Sequence, residues 1–323
     1  MDVSQKRAGR VATVGVGVLA LTLAGCGSDG GDEDAFPSRP IEVVVPFAAG
    51  GGTDQIARAL AKEAESTCGT SVTIANEEGA SGTVGLKRVL GSPPDGYTLA
   101  VGTSSQFLAT HQGVSDVTPE DMTPLMQFNF DSSVLSVSAD SEYQTIEDFL
   151  GADTGGLTVA TSGTGSIWEL SYRGMADAAG ITPPTNVPYD GAAPAIVAVL
   201  GGEADATSVS GVEALTQIES GELKPLASMS AERLAILPDV PTLKESGVEW
   251  ESGVWRGLVG PLDMPEEVTQ TIIDCFGQAA EADAFTEFMD TQGYEIQIVQ
   301  GEEFATMLQT DFDSGAKLVS GLG

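Results

Sequence analysis

The stretch Ile41-Glu42-Val43-Val44-Val45-Pro46-Phe47-Ala48-Ala49-Gly50-Gly51-Gly52-Thr53-Asp54-Gln55-Ile56-Ala57-Arg58-Ala59-Leu60 decides the fold. Ile41 to Val45 is an apolar run that reads as a buried strand. Ile56, Leu60 and Ala64 recur at helical spacing. Between them a glycine-rich turn carries the chain from strand to helix. Such a turn leaves unpaired backbone N–H groups at the positive end of a helix dipole, a ready site for an anion. A tight turn that binds nothing would have the same sequence.

Working outward, the same strand, loop and helix alternation repeats. Strands are predicted at Val72–Ile74, Tyr97–Val101, Leu157–Ala160, Ala204–Val209, Val254–Val259 and Tyr294–Val299. Helices are predicted from Thr83 to Leu90 with Ser81 as cap, after the Thr145-Ile146-Glu147-Asp148 capping box, and up to about Ala179 before Gly180. Further helices run from Pro194 to Leu200, from Val212 to Ser220, from Pro265 along the Val268, Ile272 and Phe276 face, and from Glu302 to about Val319. This alternation argues for a parallel-sheet α/β architecture. A length of 323 residues argues for two such lobes.

The N-terminus reads as a targeting segment. Lys6, Arg7 and Arg10 precede an apolar region, Val11 to Leu23, too short for a comfortable membrane span. Leu23-Ala24-Gly25-Cys26 resembles a bacterial lipobox, in which the cysteine is lipidated. Gly27 to Asp34 is a polar tether. The expected organisation is a lipoprotein signal peptide over 1–25 and a tether over 26–36, so that acyl chains on Cys26 anchor an exported protein. The formal charge is −33; losing Lys6, Arg7, Arg10 and Asp2 would leave 11 of 14 basic and 46 of 47 acidic residues, a charge of −35. That balance excludes nucleic acid as a partner, because phosphate binding needs clustered Lys and Arg.

Enzyme motifs fail. Gly163-Thr164-Gly165 lacks the third glycine of a dinucleotide loop, because Trp168 stands there. No Walker lysine follows Gly50–Gly52, and no G-x-S-x-G elbow occurs. His111, the single histidine, lies in a stretch that reads as a polar surface loop, and there is no C-x-x-C, so neither a hydrolase triad nor a metal site is expected, nor any cofactor. Cys68 and Cys275 are either a disulfide or two buried thiols. Three further strand ends carry hydroxyl-rich loops: Thr103-Ser104-Ser105, Thr161-Ser162-Gly163-Thr164-Gly165-Ser166 and Ser208-Val209-Ser210-Gly211. Ligands of open α/β sheets bind beyond such strand ends. Each serine also has the simpler role of capping a helix.

A set of motifs then resembles the Bug/TctC family, the extracytoplasmic substrate-binding proteins of tripartite tricarboxylate transporters. It comprises Phe36-Pro37-Ser38-Arg39-Pro40-Ile41, Val45 to Asp54 with Ala57-Arg58, Pro94-Asp95-Gly96-Tyr97-Thr98-Leu99 and Thr161 to Ser166. Val187-Pro188-Tyr189-Asp190-Gly191, Pro194, Gly201-Gly202-Glu203 and Leu237-Pro238-Asp239-Val240-Pro241-Thr242 complete it. The resemblance implies a two-lobe, periplasmic-binding-protein-like (Venus flytrap) α/β fold, with lobe 1 formed by 37–135 and 257–323 and lobe 2 by 136–256. It makes a Cys68–Cys275 bridge geometrically feasible, because the C-terminal segment returns to the first lobe. It implies a monomer that captures a small carboxylate (a di- or tricarboxylate, an amino acid or an aromatic acid) without chemistry and passes it to membrane permease subunits.

By the same resemblance, Phe47, Gly51, Gly52, Thr53 and Asp54 of the first loop and Ser162, Thr164, Gly165 and Ser166 of the second hold a ligand carboxylate, with Ser104 and Ser208 beside them. Asp54 repels a carboxylate, so it is expected to orient the loop, bind water or accept from a ligand N–H. Three departures remove positive or neutral character: Trp168-Glu169 where the family often has histidine, Asp190 where it is often basic, and Asn76-Glu77-Glu78-Gly79 in place of Asn-Arg-Pro-Gly. They add weight to a monocarboxylate, an amino acid or a ligand with a cationic end. A sensor signalling through a membrane partner, or an enzyme on the same scaffold, are the competing readings.

Overall fold

The computed structural model describes residues 36–47, 49–189 and 191–320. The expected signal peptide, Cys26 and nearly all of the tether lie outside the described residues. In chain order the first elements are β1 (Ile41–Val45), α1 (Gly52–Cys68), β2 (Val72–Asn76), α2 (Thr83–Leu90), β3 (Thr98–Thr103), α3 (Ser104–His111) and β4 (Met122–Ser138). Then follow α4 (Ile146–Leu150), β5 (Thr158–Thr161), α5 (Ile167–Ala179), β6 (Thr185–Pro188), α6 (Ala192–Leu200), β7 (Ala206–Ser210), α7 (Gly211–Glu219) and β8 (Leu223–Ser228). The chain closes with β9 (Gly253–Pro261), α8 (Glu266–Ala280), α9 (Asp283–Gln292), β10 (Ile296–Gln300) and α10 (Gly301–Ser320).

The sheet is mixed where a parallel one was expected. β1 pairs in parallel with β2 and β3, and β5 in parallel with β6 and β7. Between these groups lie antiparallel strands, above all β4, a 17-residue strand absent from the sequence reading. Up to Ser132 it pairs with β9, and its Met126–Asn129 part also with β10; from Ser133 it pairs with β7 and β8. One strand therefore belongs to two groups of strands. The chain passes back between the groups at Gly253, where a Cβ would lie 2.3 Å from the Asp131 carbonyl oxygen, so that only glycine fits.

Each group is covered on both faces by apolar helix faces. Ile56 and Leu60 of α1 pack with Ile272 and Phe276 of α8 and Phe285 of α9 against Val43 and Leu99. On the opposite face Leu86, Phe107, Phe304 and Leu308 enclose Val44 and Trp255. In the second group Phe149, Tyr172 and Met175 cover Leu135 and Val159, and Ile196, Val199 and Ala214 cover Ala160 and Val209. Cys68 and Cys275 are joined, which ties the end of α1 to α8. Thr67 reinforces the same junction by donating from Oγ1 to the Cys275 carbonyl at 2.7 Å.

Two local expectations change. Ser81 does not cap α2: Gly82 occupies that position and no side chain caps the helix. His111 is not in a loop but ends α3, half-buried, with Nε2 2.7 Å from the Phe312 carbonyl and its ring packed on Phe312. Among the described residues no helix is long and apolar enough to cross a membrane, and no group of histidine, cysteine, aspartate or glutamate could hold a metal ion.

Candidate functional site

The two glycine-rich loops face one cleft of about 460 Å³. Phe47, Thr53, Thr103, Ser105 and Gln112 line it from the first group of strands, and Ser162 through Trp168 together with Glu213 from the second. Arg256, on β9, reaches it from the floor. A larger cavity, of about 830 Å³ beside Ser230 and Tyr294, contains no glycine-rich helix start.

The first loop is held by a carboxylate. Asp54, 2% exposed, accepts from the Gly50 N–H at 2.8 Å, from Arg58 Nε at 2.9 Å and from Asn76 Nδ2 at 2.9 Å. Asn76 also donates to the Phe47 carbonyl at 3.0 Å. Burial opposes the Asp54 charge, but the bonds from Arg58, Gly50 and Asn76 outweigh it and keep the carboxyl below its usual pKa. Asp54 thus orients the loop, the first of the roles expected for it, and lies behind the cleft surface. No side chain caps α1, so its first-turn N–H groups, including those of Gly52 and Thr53, stay available.

The second loop uses the same device. Glu169, 3% exposed, accepts from the Gly165 N–H at 2.7 Å and from Arg173 Nε at 2.8 Å. In both loops a glycine N–H, a carboxylate four residues on and an arginine four residues further make one chain of bonds. Glu169, a departure from the family pattern, is therefore spent inside its own loop. Ser166 caps α5 by accepting from the Glu169 N–H at 3.3 Å. The hydroxyls of Ser162 and Thr164 have no partner among the described residues and line the cleft. Gly165 has a φ of +70°, and a Cβ there would lie 2.4 Å from Gln112 Nε2. Gln112 Nε2 donates to the Gly165 carbonyl at 2.7 Å, a direct bond between the two banks.

Of the expected residues, Gly51, Gly52, Asp54, Ser104 and Ser208 are not among those lining the cleft. Ser208 is fully buried in β7, its hydroxyl 2.9 Å from that of Ser133, because inward-facing positions of β7 pack against β4. Ser104 is 1% exposed with its hydroxyl buried, while its neighbours Thr103 and Ser105 reach the cleft.

Arg256, Glu213 and Gln112 are cleft residues the sequence reading did not single out. Arg256 is 8% exposed; Nε donates to Thr53 Oγ1 at 2.9 Å and Nη1 to Asn129 and Asp131. A lone arginine inside the apolar run Val254–Val259 was its available signal, since a buried charge in a strand needs partners. Glu213 accepts from the Ser210 N–H and Oγ at 3.2 and 3.0 Å at the start of α7. Its side chain is exposed on the cleft, and desolvation by the protein around the carboxyl raises its pKa against the bonds from Ser210.

Facing helix starts on opposite banks of a cleft, in an α/β protein crossed by shared strands, define a solute-binding protein. The profile of the "Tripartite tricarboxylate transporter family receptor" matches residues 56–323, and the chain belongs to that family. It is similar to protein BugT of Bordetella pertussis, with 29% identity over 272 residues, 80% of this chain and 82% of the relative. A TctC solute-binding protein from Polaromonas, solved without ligand, superposes with a TM-score of 0.82 at 32% identity, over 88% of this chain and 99% of the other. MatC from Rhodopseudomonas palustris, solved with bound malate, superposes with a TM-score of 0.71 at 28% identity, over 88% and 100%.

Proposed function

We propose that this chain captures a small carboxylate in the cleft between two lobes and delivers it to a tripartite tricarboxylate-type permease. The observation that carries the reading is the uncapped N-terminus of α1, whose Thr53 lines the cleft together with Ser162 and Thr164, hydroxyls without a partner among the described residues. Backbone N–H groups and the helix dipole supply an anion site without a cation. The two lobes meet at two crossings, β4 near Ser132–Ser133 and the chain at Gly253, and closure bends both. Gln112 to Gly165 is the contact such closure makes, so bound acid and closed form favour each other. Lipidation at Cys26 would hold the protein at the membrane beside the permease. Malate bound to MatC supports the ligand class.

A thermal-shift screen tests the proposal. An acid at 100 times its Kd adds about 2.7 kcal/mol, which for a protein of this size raises the melting temperature by roughly 5–10 °C. No rise with any carboxylate, from a protein that melts cooperatively, would contradict it.

A further inference from the structure

We propose that Arg256 and Glu213 select the ligand, and that the preferred solute carries an ammonium group as well as a carboxylate. This rests on the carboxylate-binding reading above. Arg256 is nine-tenths buried, and its Nε and Nη1 are occupied by Thr53, Asn129 and Asp131. Its Nη2 has no partner among the described residues. Arg256 itself lines the cleft, so Nη2 is the guanidinium nitrogen available to a ligand there. A guanidinium nitrogen held rigid by its other bonds and left open is a carboxylate donor that loses little entropy on binding.

Glu213 lines the same cleft from the other bank. Oε2 is used by Ser210, and Oε1 has no partner among the described residues. Of the other charged groups nearby, Asp54 is paired with Arg58 and Glu169 with Arg173, while Asp131 sits behind Arg256. Among the described residues the lining therefore offers one cation and one anion, with a second anion behind. A dicarboxylate brings its second charge toward Glu213 and Asp131. A ligand with an ammonium at that end meets an acceptor instead, and like charges brought together in a partly dry cleft are costly.

Titration calorimetry at pH 7.5 with matched sets tests this: butanoate, succinate and 4-aminobutanoate; hexanoate, adipate and 6-aminohexanoate. The expected result is at least tenfold tighter binding of the amino member than of the dicarboxylate in one set. Glu213→Gln should cut that preference at least tenfold, weakening the amino member and strengthening the dicarboxylate. Glutamine still serves the Ser210 cap, so the variant folds. Arg256→Lys, which keeps a charge for Asp131, should weaken both members of the pair alike. Dicarboxylates that bind as tightly as amino acids, or an unchanged ratio in Glu213→Gln, would overturn the inference and leave the carboxylate reading standing. Binding of none of the probes would count against both.

Discussion

Replacing Glu295 by glutamine should stabilise the protein at neutral pH and leave it unchanged near pH 4.5. Glu295 lies between α9 and β10 and fastens β4 where its pairing changes. Its carboxylate accepts from the Ser132 N–H at 2.8 Å and from Ser132 Oγ at 3.3 Å, and its carbonyl accepts from Asn129 Nδ2 at 2.7 Å. Burial, with Asp131 nearby, pushes the carboxyl up to about 7 against the bonds from Ser132. An acid whose pKa is raised on folding contributes stability that is present below its unfolded value and lost as pH rises through the folded one. The window therefore runs from 4.5 to about 7. At about 1.4 kcal/mol per unit, the loss is on the order of 3 kcal/mol. Glutamine keeps an acceptor for the Ser132 N–H and carries no charge, so Glu295→Gln should recover about 2–3 kcal/mol at pH 7.5. Urea unfolding of both proteins at several pH values between 4.5 and 7.5 reads this directly. Asp311, pushed up to about 6 by burial against the bond from Trp255, has the same sign but is common to both, so the difference isolates Glu295. Parallel stability curves for the two proteins would refute the reasoning.

Asp54→Ala leaves the Gly50 N–H, Asn76 and Arg58 without their acceptor, and should cost about 2–4 kcal/mol at pH 7. Because the Asp54 carboxyl is held below its usual range, its contribution persists above that range and fades only in stronger acid, where variant and wild type should converge in urea unfolding. Replacing both Cys68 and Cys275 by serine opens a closure spanning 207 residues in sequence. Chain entropy puts the loss at about 5.4 kcal/mol, measurable as a lower urea midpoint that matches the reduced wild type. Gln112→Ala should weaken binding of the acid found in the thermal screen by about fivefold, one neutral hydrogen bond's worth, with little change in unfolding.

The parts of the fold carried by periodicity were legible. Thr83–Leu90 and the Thr145 capping box are where the sequence put them, because apolar spacing determines the first and capping chemistry the second. β4 was not legible. Gln127, Asn129, Asp131, Ser132 and Ser133 look like a loop in sequence, yet all are buried, because Arg256, Gln297 and Glu295 meet their polar groups from distant chain positions. Sequence shows a buried polar residue and not its partner. The same limit hid the mixed sheet, since antiparallel β9 and parallel β5 have similar apolar runs. At the cleft, the loops were legible through their glycines and hydroxyls. Ser208 misled because a strand-end serine can satisfy its hydroxyl within the sheet, as it does with Ser133. Gln112 and Glu213 reach the cleft only through the packing of α3 and α7, which no local pattern records.

A crystal structure of the protein with the tightest-binding acid of the panel tests the central claim most directly. The account predicts the carboxylate within hydrogen-bond distance of the α1 N-terminus or Arg256 Nη2, with the second loop closed over it. Ligand density beside Ser230 and Tyr294, in the larger cavity, with the cleft between the two loops holding only water, would contradict it.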